Sequence, residues 1–209
     1  MSTPSPVTGY VLAGGSSKRM GRDKALLPWG APGFTLLDHV TYLLASVCHR
    51  VFIVGRQIPP LTKERYSEPA GWLPDRVPGI GPLGGLLSAL HESQSEDNIV
   101  IAVDLPFLTS DFLKYFKERC HHSNRPLTVC KIESAFPLCL SIRTDFRNIV
   151  DEYVASGSRS LHGLIEANNP EIISVNDLLC AGFPTSIFTN INTVTDYQLA
   201  IKTINRDTP

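Results

Sequence analysis

The chain has 209 residues and a formal net charge of −1, with 43% hydrophobic and 19% charged side chains. That length supports one domain, or at most two small ones, with a sizeable core, and the near-zero charge leaves no global basic field for nucleic acid. No stretch of about 18 apolar residues offers a membrane span, and residues 1–6 lack the basic and apolar regions of a signal peptide, so a cytoplasmic protein is expected.

Strands and helices alternate along the chain. Residues 7–13 are apolar and read as a buried first strand, and 14–34 form a long loop of the kind that is usually functional. Leu36, Leu37, Val40, Leu43, Leu44 and Val47 recur at helical spacing behind Thr35, a plausible N-cap. Residues 50–55 are a short apolar strand, 58–78 are rich in Pro, Arg and Glu and read as irregular, and 83–91 form a helix opened by Gly81-Pro82. The apolar run 98–103 has the character of a strand buried on both faces of a parallel sheet. Beyond it the pattern predicts helices at 111–119, 146–155, 160–167 and 194–204, and strands at 127–131, 138–142 and 172–175, the first two of these strands being candidates for adjacency. The alternation implies an α/β fold, a mainly parallel twisted sheet with helices on both faces, whose ligands sit beyond the carboxyl ends of the strands where strand order reverses. Five cysteines, Cys48, Cys120, Cys130, Cys139 and Cys180, show no C-x-x-C pairing and no metal-ligand spacing, and read as reduced and mostly buried. Cys120-His121-His122 are three adjacent residues, which rarely converge on one ion.

The first loop carries the densest chemistry. Gly14, Gly15 and Gly21, Ser16 and Ser17, and Lys18, Arg19, Arg22 and Lys24 fall within eleven residues directly after the first strand. Glycines let backbone N–H groups turn toward a ligand, and such a nest of donors and cations suits an anion, so phosphate binding is expected there. The loop is not a Walker A motif: five residues separate Gly15 from Gly21, and Arg22 follows. A second constellation is Asp104, delivered at the carboxyl end of the apolar run and followed by Pro106. A carboxylate there is costly unless paired or metal-bound, and Mg²⁺ takes one or two carboxylates plus substrate phosphates. Asp104 is therefore the metal candidate, with a helix cap or turn aspartate as the alternative. Between the two lies Asp75-Arg-Val-Pro-Gly79-Ile-Gly81-Pro-Leu-Gly84-Gly85, which also satisfies G-x-G-x-x-G. A dinucleotide-binding turn needs a strand immediately before it, and Pro74 and Pro78 argue that none leads in.

The stretch Leu12-Ala13-Gly14-Gly15-x-Ser17-x-Arg19-Met20-Gly21-x-Asp23-Lys24 resembles the signature loop of nucleotidyltransferases that make nucleotide-activated sugars and cofactors, and Gly-x-Asp-Lys resembles the molybdenum cofactor guanylyltransferases, the MobA family. Related cytidylyltransferases usually carry Pro before the lysine, where Asp23 stands. The resemblance runs from about residue 7 to residue 204 and implies a three-layer Rossmann-like nucleotidyltransferase fold in a single domain, with a nucleotide-binding half at about 7–110 and an acceptor-binding half at about 111–205. It implies GTP and molybdopterin as substrates, Mg²⁺ as cofactor, and other molybdenum cofactor biosynthesis proteins as partners. By this resemblance Leu12, Ala13, Gly14, Gly15, Asp75, Gly81 and Asp104 hold GTP. Lys24 stabilises the α-phosphate, Arg19 and Lys18 hold the β- and γ-phosphates, Asp104 carries the metal, and Asp75 reads guanine. Gly157-Ser-Arg159 resembles the segment that meets the acceptor, and Asn190-Ile-Asn192-Thr193-x-x-Asp196 the signature before the last helix, so Arg159, Asn190 and Asn192 become acceptor or metal candidates. A solvated arginine and a helix cap by Asn192 or Thr193 are their plainer readings. Two positions depart from the pattern: no asparagine follows the second strand, and Phe136 of Phe136-Pro137-Leu138 stands where a polar residue is common. The rivals are a cytidylyltransferase acting on molybdopterin or another small phosphate acceptor, a catalytically silent nucleotide-binding protein, and a Rossmann oxidoreductase.

Overall fold

Val7–Leu12 is buried along its whole length, and this strand, β1, is the one on which the sheet is built. A computed structural model of the chain describes residues 6–14, 23–55 and 70–206. Arg50–Gly55 (β2) pairs with β1 in parallel, and Ala70–Pro74 (β3) continues outward from β2, also parallel. On the other flank of β1 lies Asp97–Ala102 (β4), again parallel. Leu127–Cys130 (β5), Cys139–Arg143 (β6) and Glu171–Ile173 (β7) complete the described sheet in the order β3-β2-β1-β4-β6-β5-β7. Only β6 opposes its neighbours, β4 and β5, and β7 is parallel to β5. Strand order therefore reverses between β1 and β4, which opens a crevice beyond their carboxyl ends.

Side chains leaving the sheet alternate between two cores, as the pleat requires. Val11, Ile53 and Ile101 point to one face and pack with Leu36, Leu44, Phe112 and Phe116. Tyr10, Leu12, Val54 and Val100 point to the other and pack with Leu83, Leu86, Val150 and Leu164. The helices Leu36–Ala45 (α1) and Ser110–His122 (α3) cover the first face, and Pro82–Glu92 (α2), Arg147–Ala155 (α4) and Leu161–Ala167 (α5) cover the second. Val175–Cys180 (α6) and Val194–Arg206 (α7) add to the first. The result is the three-layer α/β architecture expected from the alternation. No helix among the described residues is long and apolar enough to cross a membrane.

Local signals explain where several elements start. Thr35 and Asp38 form a reciprocal capping box at α1, with Thr35 N donating to Asp38 Oδ2 at 2.6 Å and Asp38 N to Thr35 Oγ1 at 3.2 Å. Gly81 sits before α2 with φ 65°, a conformation open to glycine, and Pro82 enters the first turn. Gly9 is required by contact: a Cβ there would lie 2.6 Å from Leu44 Cγ, so its absence lets α1 settle on β1.

Three expectations need correction. Residues 58–78 are not wholly irregular, because 70–74 form β3. Ala, Gly and Pro hide this strand from a propensity reading, yet Gly71 is what lets it lie against Phe52, whose ring carbon would be 2.6 Å from an added Cβ. Residues 172–175 do not all extend a strand: Ser174 and Asp177 form a second capping box that starts α6 at Val175. Residues 14–34 are not all loop, since Lys24–Leu26 form a short 3₁₀ turn.

Gly9→Ala is expected to destabilise the protein by about 1–3 kcal/mol through overpacking against Leu44, read as a lower urea midpoint. Burial pushes the Cys48 and Cys120 thiols up to about 12 and those of Cys130 and Cys139 higher still, whereas Cys180 is exposed. Because the thiolate is the reactive form, a thiol reagent at pH 8 should modify Cys180 rapidly, and Cys180→Ser should remove that fast phase.

Candidate functional site

β1 ends in backbone rather than bulk. Ala13 N donates to Val54 O at 2.9 Å and Leu12 O accepts from Val103 N at 3.2 Å, which locks the exit of β1 between its two neighbours. Gly14 follows, 3.8 Å from Gly55 Cα measured from an ideal Cβ, so two glycines face each other where β1 and β2 end. Gly15, Lys18 and Arg19 lie outside the described residues. At Asp23 the side chain accepts from Ala25 N at 3.0 Å and so caps the 3₁₀ turn that begins with Lys24.

From that turn Lys24 reaches Asp104. Its Nζ lies 2.6 Å from Asp104 Oδ2, with the two side chains 21% and 15% exposed. Asp104 leaves β4 in a tight turn, Leu105 N donating to Ala102 O at 3.4 Å, and its own carbonyl accepts from Ile191 N at 3.0 Å. Residues 80 apart in sequence are thus paired at the switch point between β1 and β4. A half-shielded pair of this kind is screened less by salt than a surface pair, and each partner neutralises the other's charge.

The Ile191 bond also draws Asn190 to Asp104. Both line a cavity of about 640 Å³ together with Glu133, Phe136, Thr185, Ser186 and Thr189. The turn before β6 opens onto the same edge, since Leu138 O accepts from Ala102 N at 2.9 Å. Sequence reasoning missed Glu133 and the three hydroxyls; the Thr185-Ser186 pair and Thr189 just ahead of Asn190-Ile-Asn192 were a polar signal that could have found the hydroxyls. Asn192 has a different place. Its backbone N–H and that of Thr193 each donate to Asp196 Oδ2 at 2.9 Å, and Thr193 Oγ1 accepts from Asp196 N at 3.1 Å. Those bonds hold the Asp196 carboxyl below the usual range, and the cap of α7 falls to Thr193. Arg159 is exposed in the turn after Gly157 (φ 87°). That turn joins α4 to α5, and the Phe136 ring lies 5.0 Å from His162 of α5.

Asp75 stands at the carboxyl end of β3, its N–H bonded to Gly55 O at 3.2 Å. Its Oδ1 accepts from Val77 N at 3.0 Å, and Arg76 N donates to Ser88 Oγ at 2.8 Å, which folds the turn onto α2. Gly84 makes this possible: a Cβ there would lie 2.5 Å from Val77 O and 2.8 Å from Asp75 Oδ1. Three strand spacings, β3 to β2 to β1 to β4, separate Asp75 from Asp104, roughly 14 Å along the carboxyl edge. The expectation that no strand leads into Gly79-Ile-Gly81-Pro-Leu-Gly84 is incorrect, because β3 ends at Pro74 and α2 begins at Pro82. A dinucleotide turn nevertheless belongs at the switch point beyond β1, whereas this one follows the outermost described strand on that side.

Among the described residues no three His, Cys, Asp or Glu side chains converge as a metal site. Asp104 and Asn190 offer hard oxygens, a donor set that fits Mg²⁺ arriving with most of its ligands on a phosphate substrate. A double-mutant cycle of Lys24→Ala and Asp104→Ala should give a coupling energy of about 1 kcal/mol in urea unfolding.

Comparison with known proteins places this geometry. The model of the MobA-like NTP transferase domain matches residues 9–172. A probable molybdenum cofactor guanylyltransferase of Mycobacterium tuberculosis H37Rv is 34% identical over 167 residues, 78% of this chain and 81% of that protein. One from Mycolicibacterium paratuberculosis is 32% identical over 205 residues, 95% of this chain and 96% of its own length. Among solved structures, the molybdopterin-guanine dinucleotide biosynthesis protein A of Archaeoglobus fulgidus superposes with a TM-score of 0.78 at 21% identity, covering 95% of this chain and 99% of that one. The fold is thus shared with a solved protein of molybdopterin-guanine dinucleotide biosynthesis, and the chain is a member of the MobA-like NTP transferase family.

Proposed function

We propose that this chain transfers GMP from GTP to the terminal phosphate of molybdopterin, releasing pyrophosphate and forming molybdopterin guanine dinucleotide. The observation that carries the reading is the Lys24–Asp104 pair, held at the β1/β4 switch point beside a cavity large enough for an acceptor. The names of the relatives supply the base and the acceptor.

The chemistry asks little of a general base. The nucleophile is a phosphate monoester with a second pKa of about 6, so it is largely ionised at neutral pH. One of its oxygens attacks the α-phosphorus, the bond from that phosphorus to the bridging oxygen breaks, and pyrophosphate leaves with the electron pair. Catalysis then rests on positioning and charge neutralisation. Lys24 leaves Asp104 for the α-phosphate and stabilises the charge that builds there. Arg19, with Lys18 and the backbone of residues 12–15, holds the departing phosphates. Asp104 and Asn190 would hold Mg²⁺, which when bound would neutralise phosphate oxygens and orient the attack. Asp75 and Gly81 receive the base: Asp75 Oδ2 and the spare lone pair of Oδ1 accept the N1–H and N2–H₂ donors that guanine presents and adenine lacks. The roughly 14 Å from Asp75 to Asp104 suits a nucleotide laid along the carboxyl edge. Arg159 completes the acceptor side, and Asn192 serves it only by fixing the start of α7 behind Asn190.

The deciding experiment is thermal stability with Mg²⁺ and each of GTP, CTP, ATP, UTP and NAD. A ligand at 100 times its Kd stabilises by about 2.7 kcal/mol, roughly 2–4 °C at this size. GTP should give the largest shift; a larger one with CTP would move the function to cytidylyl transfer. Lys24→Ala should lower kcat by about 10²–10³, and Asp104→Ala should abolish metal-dependent turnover. Asp75→Ala should raise the KM for GTP and blur base choice. Gly84→Ala should do the same by displacing the Asp75 turn.

A further inference from the structure

His39 stands on α1, outside the residues given a role above, yet both turns that carry the reactive pair meet on it. Its Nε2 is 2.7 Å from the carbonyl oxygen of Pro106, two residues beyond Asp104. A carbonyl only accepts, so Nε2 carries the proton. The same ring lies 5.6 Å from that of Trp29, five residues beyond Lys24, and Trp29 in turn meets Phe107 edge-on at 5.9 Å. Trp29 is 4% exposed. Its segment is tied on every side: Trp29 N donates to Phe34 O at 2.8 Å, Leu36 N to Leu27 O at 2.8 Å, and the Tyr197 hydroxyl of α7 to Pro28 O at 2.7 Å. The chain from Lys24 to Trp29 is therefore stiff, and so is the step from Asp104 to Phe107. Burial lowers the pKa of His39, the carbonyl bond opposing that shift, which suits a neutral ring with one donor committed to Pro106.

We propose that His39 is a positioning residue for the transfer reaction: its Nε2–H bond to Pro106 and its ring contact with Trp29 hold the Asp104 turn at working distance from Lys24. The inference rests on the assignment of Lys24 and Asp104 to the reacting phosphates. A purely structural histidine would cost stability when replaced and leave the folded enzyme's turnover unchanged. A positioning one changes kcat ahead of KM, and the change follows the donor rather than the ring.

Three variants separate these roles: His39→Ala, His39→Phe, which keeps a ring against Trp29 but has no donor, and His39→Gln, whose amide N–H can reach the carbonyl. Each is assayed with GTP and the molybdopterin acceptor below its own Tm. His39→Ala and His39→Phe should lose about 10–100-fold in kcat, the scale of a displacement near 1 Å, with the KM for GTP little changed, and His39→Gln should recover most of the loss. Wild-type kcat in His39→Phe, or a His39→Gln variant as impaired as His39→Phe, overturns the proposal. A second readout needs no turnover: the Lys24 ammonium signal in ¹⁵N-lysine-labelled protein, assigned with Lys24→Arg. Pairing with Asp104 should slow its hydrogen exchange and make it visible. It should vanish in His39→Phe and return in His39→Gln; its persistence in His39→Phe overturns the proposal. Should the wild type form no product from GTP and acceptor, the functional reading fails, and the ammonium signal still decides His39.

Discussion

A strand buried on both faces cannot carry chemistry along its length and can only deliver it at its end. β1 and β4 are such strands, with every residue of β1 buried and every residue of β4 but Asp97. The Lys24–Asp104 pair consequently sits on the carboxyl edge, at the place where the chain turns back across β1 to start a new flank. The carboxyl ends of β1 and β4 leave the sheet side by side because the two strands are paired in register, Leu12 opposite Ala102. The crevice is a result of strand order, and the charges in it are affordable because they pair.

The Lys24–Asp104 pair has a second consequence. In the state seen here Lys24 and Asp104 offset each other's charge. Under the proposed reaction a triphosphate draws Lys24 away and the accompanying cation takes its place on Asp104. Both exchanges replace one opposite charge by another, so neither leaves a half-buried ion unpaired, which is the costly outcome. The stiffness of the two turns matters for the same reason: a lysine has a flexible stem, and the accuracy of its placement must come from the backbone that carries it.

The side of the crevice next to Asn190 is built differently. Its cavity is walled by the turn between β5 and β6, by the 3₁₀ turn Thr185–Phe188 and by Asn190, three segments from the second half of the chain. Glu133 holds φ at 54° in the first of these, a conformation that L residues other than Asn and Asp adopt at a cost. The antiparallel strand β6 is what brings this wall to the carboxyl edge, because it starts where its parallel neighbours end. One reversed strand in an otherwise parallel sheet thus lets residues 131–138 face the crevice beyond β1 and β4.

Much of this was legible in the sequence for identifiable reasons. Apolar runs at 7–12, 50–55 and 98–103 signal buried strands without any context, and Thr35, Gly81 and Pro82 mark helix starts through local hydrogen bonding and fixed dihedrals. The loop from Leu12 to Lys24 and the isolated Asp104 announce their chemistry by residue type alone. Tertiary contact settled the rest. β3 exists because Gly71 can lie under Phe52, a relation no local propensity encodes. The division of labour between Asn190, at the cavity, and Asn192, in a helix cap, depends on a hydrogen bond from Ile191 to Asp104. Asp75 keeps its turn because Gly84 has no side chain, and His39 joins two turns that lie 67 and 10 residues from it in sequence, through contacts that only folding creates. Sequence determines what each residue is able to do, since charge, shape and donor count are properties of the side chain. The fold decides which of them meet, because distances of 3 Å between residues tens of positions apart are set by strand order and packing.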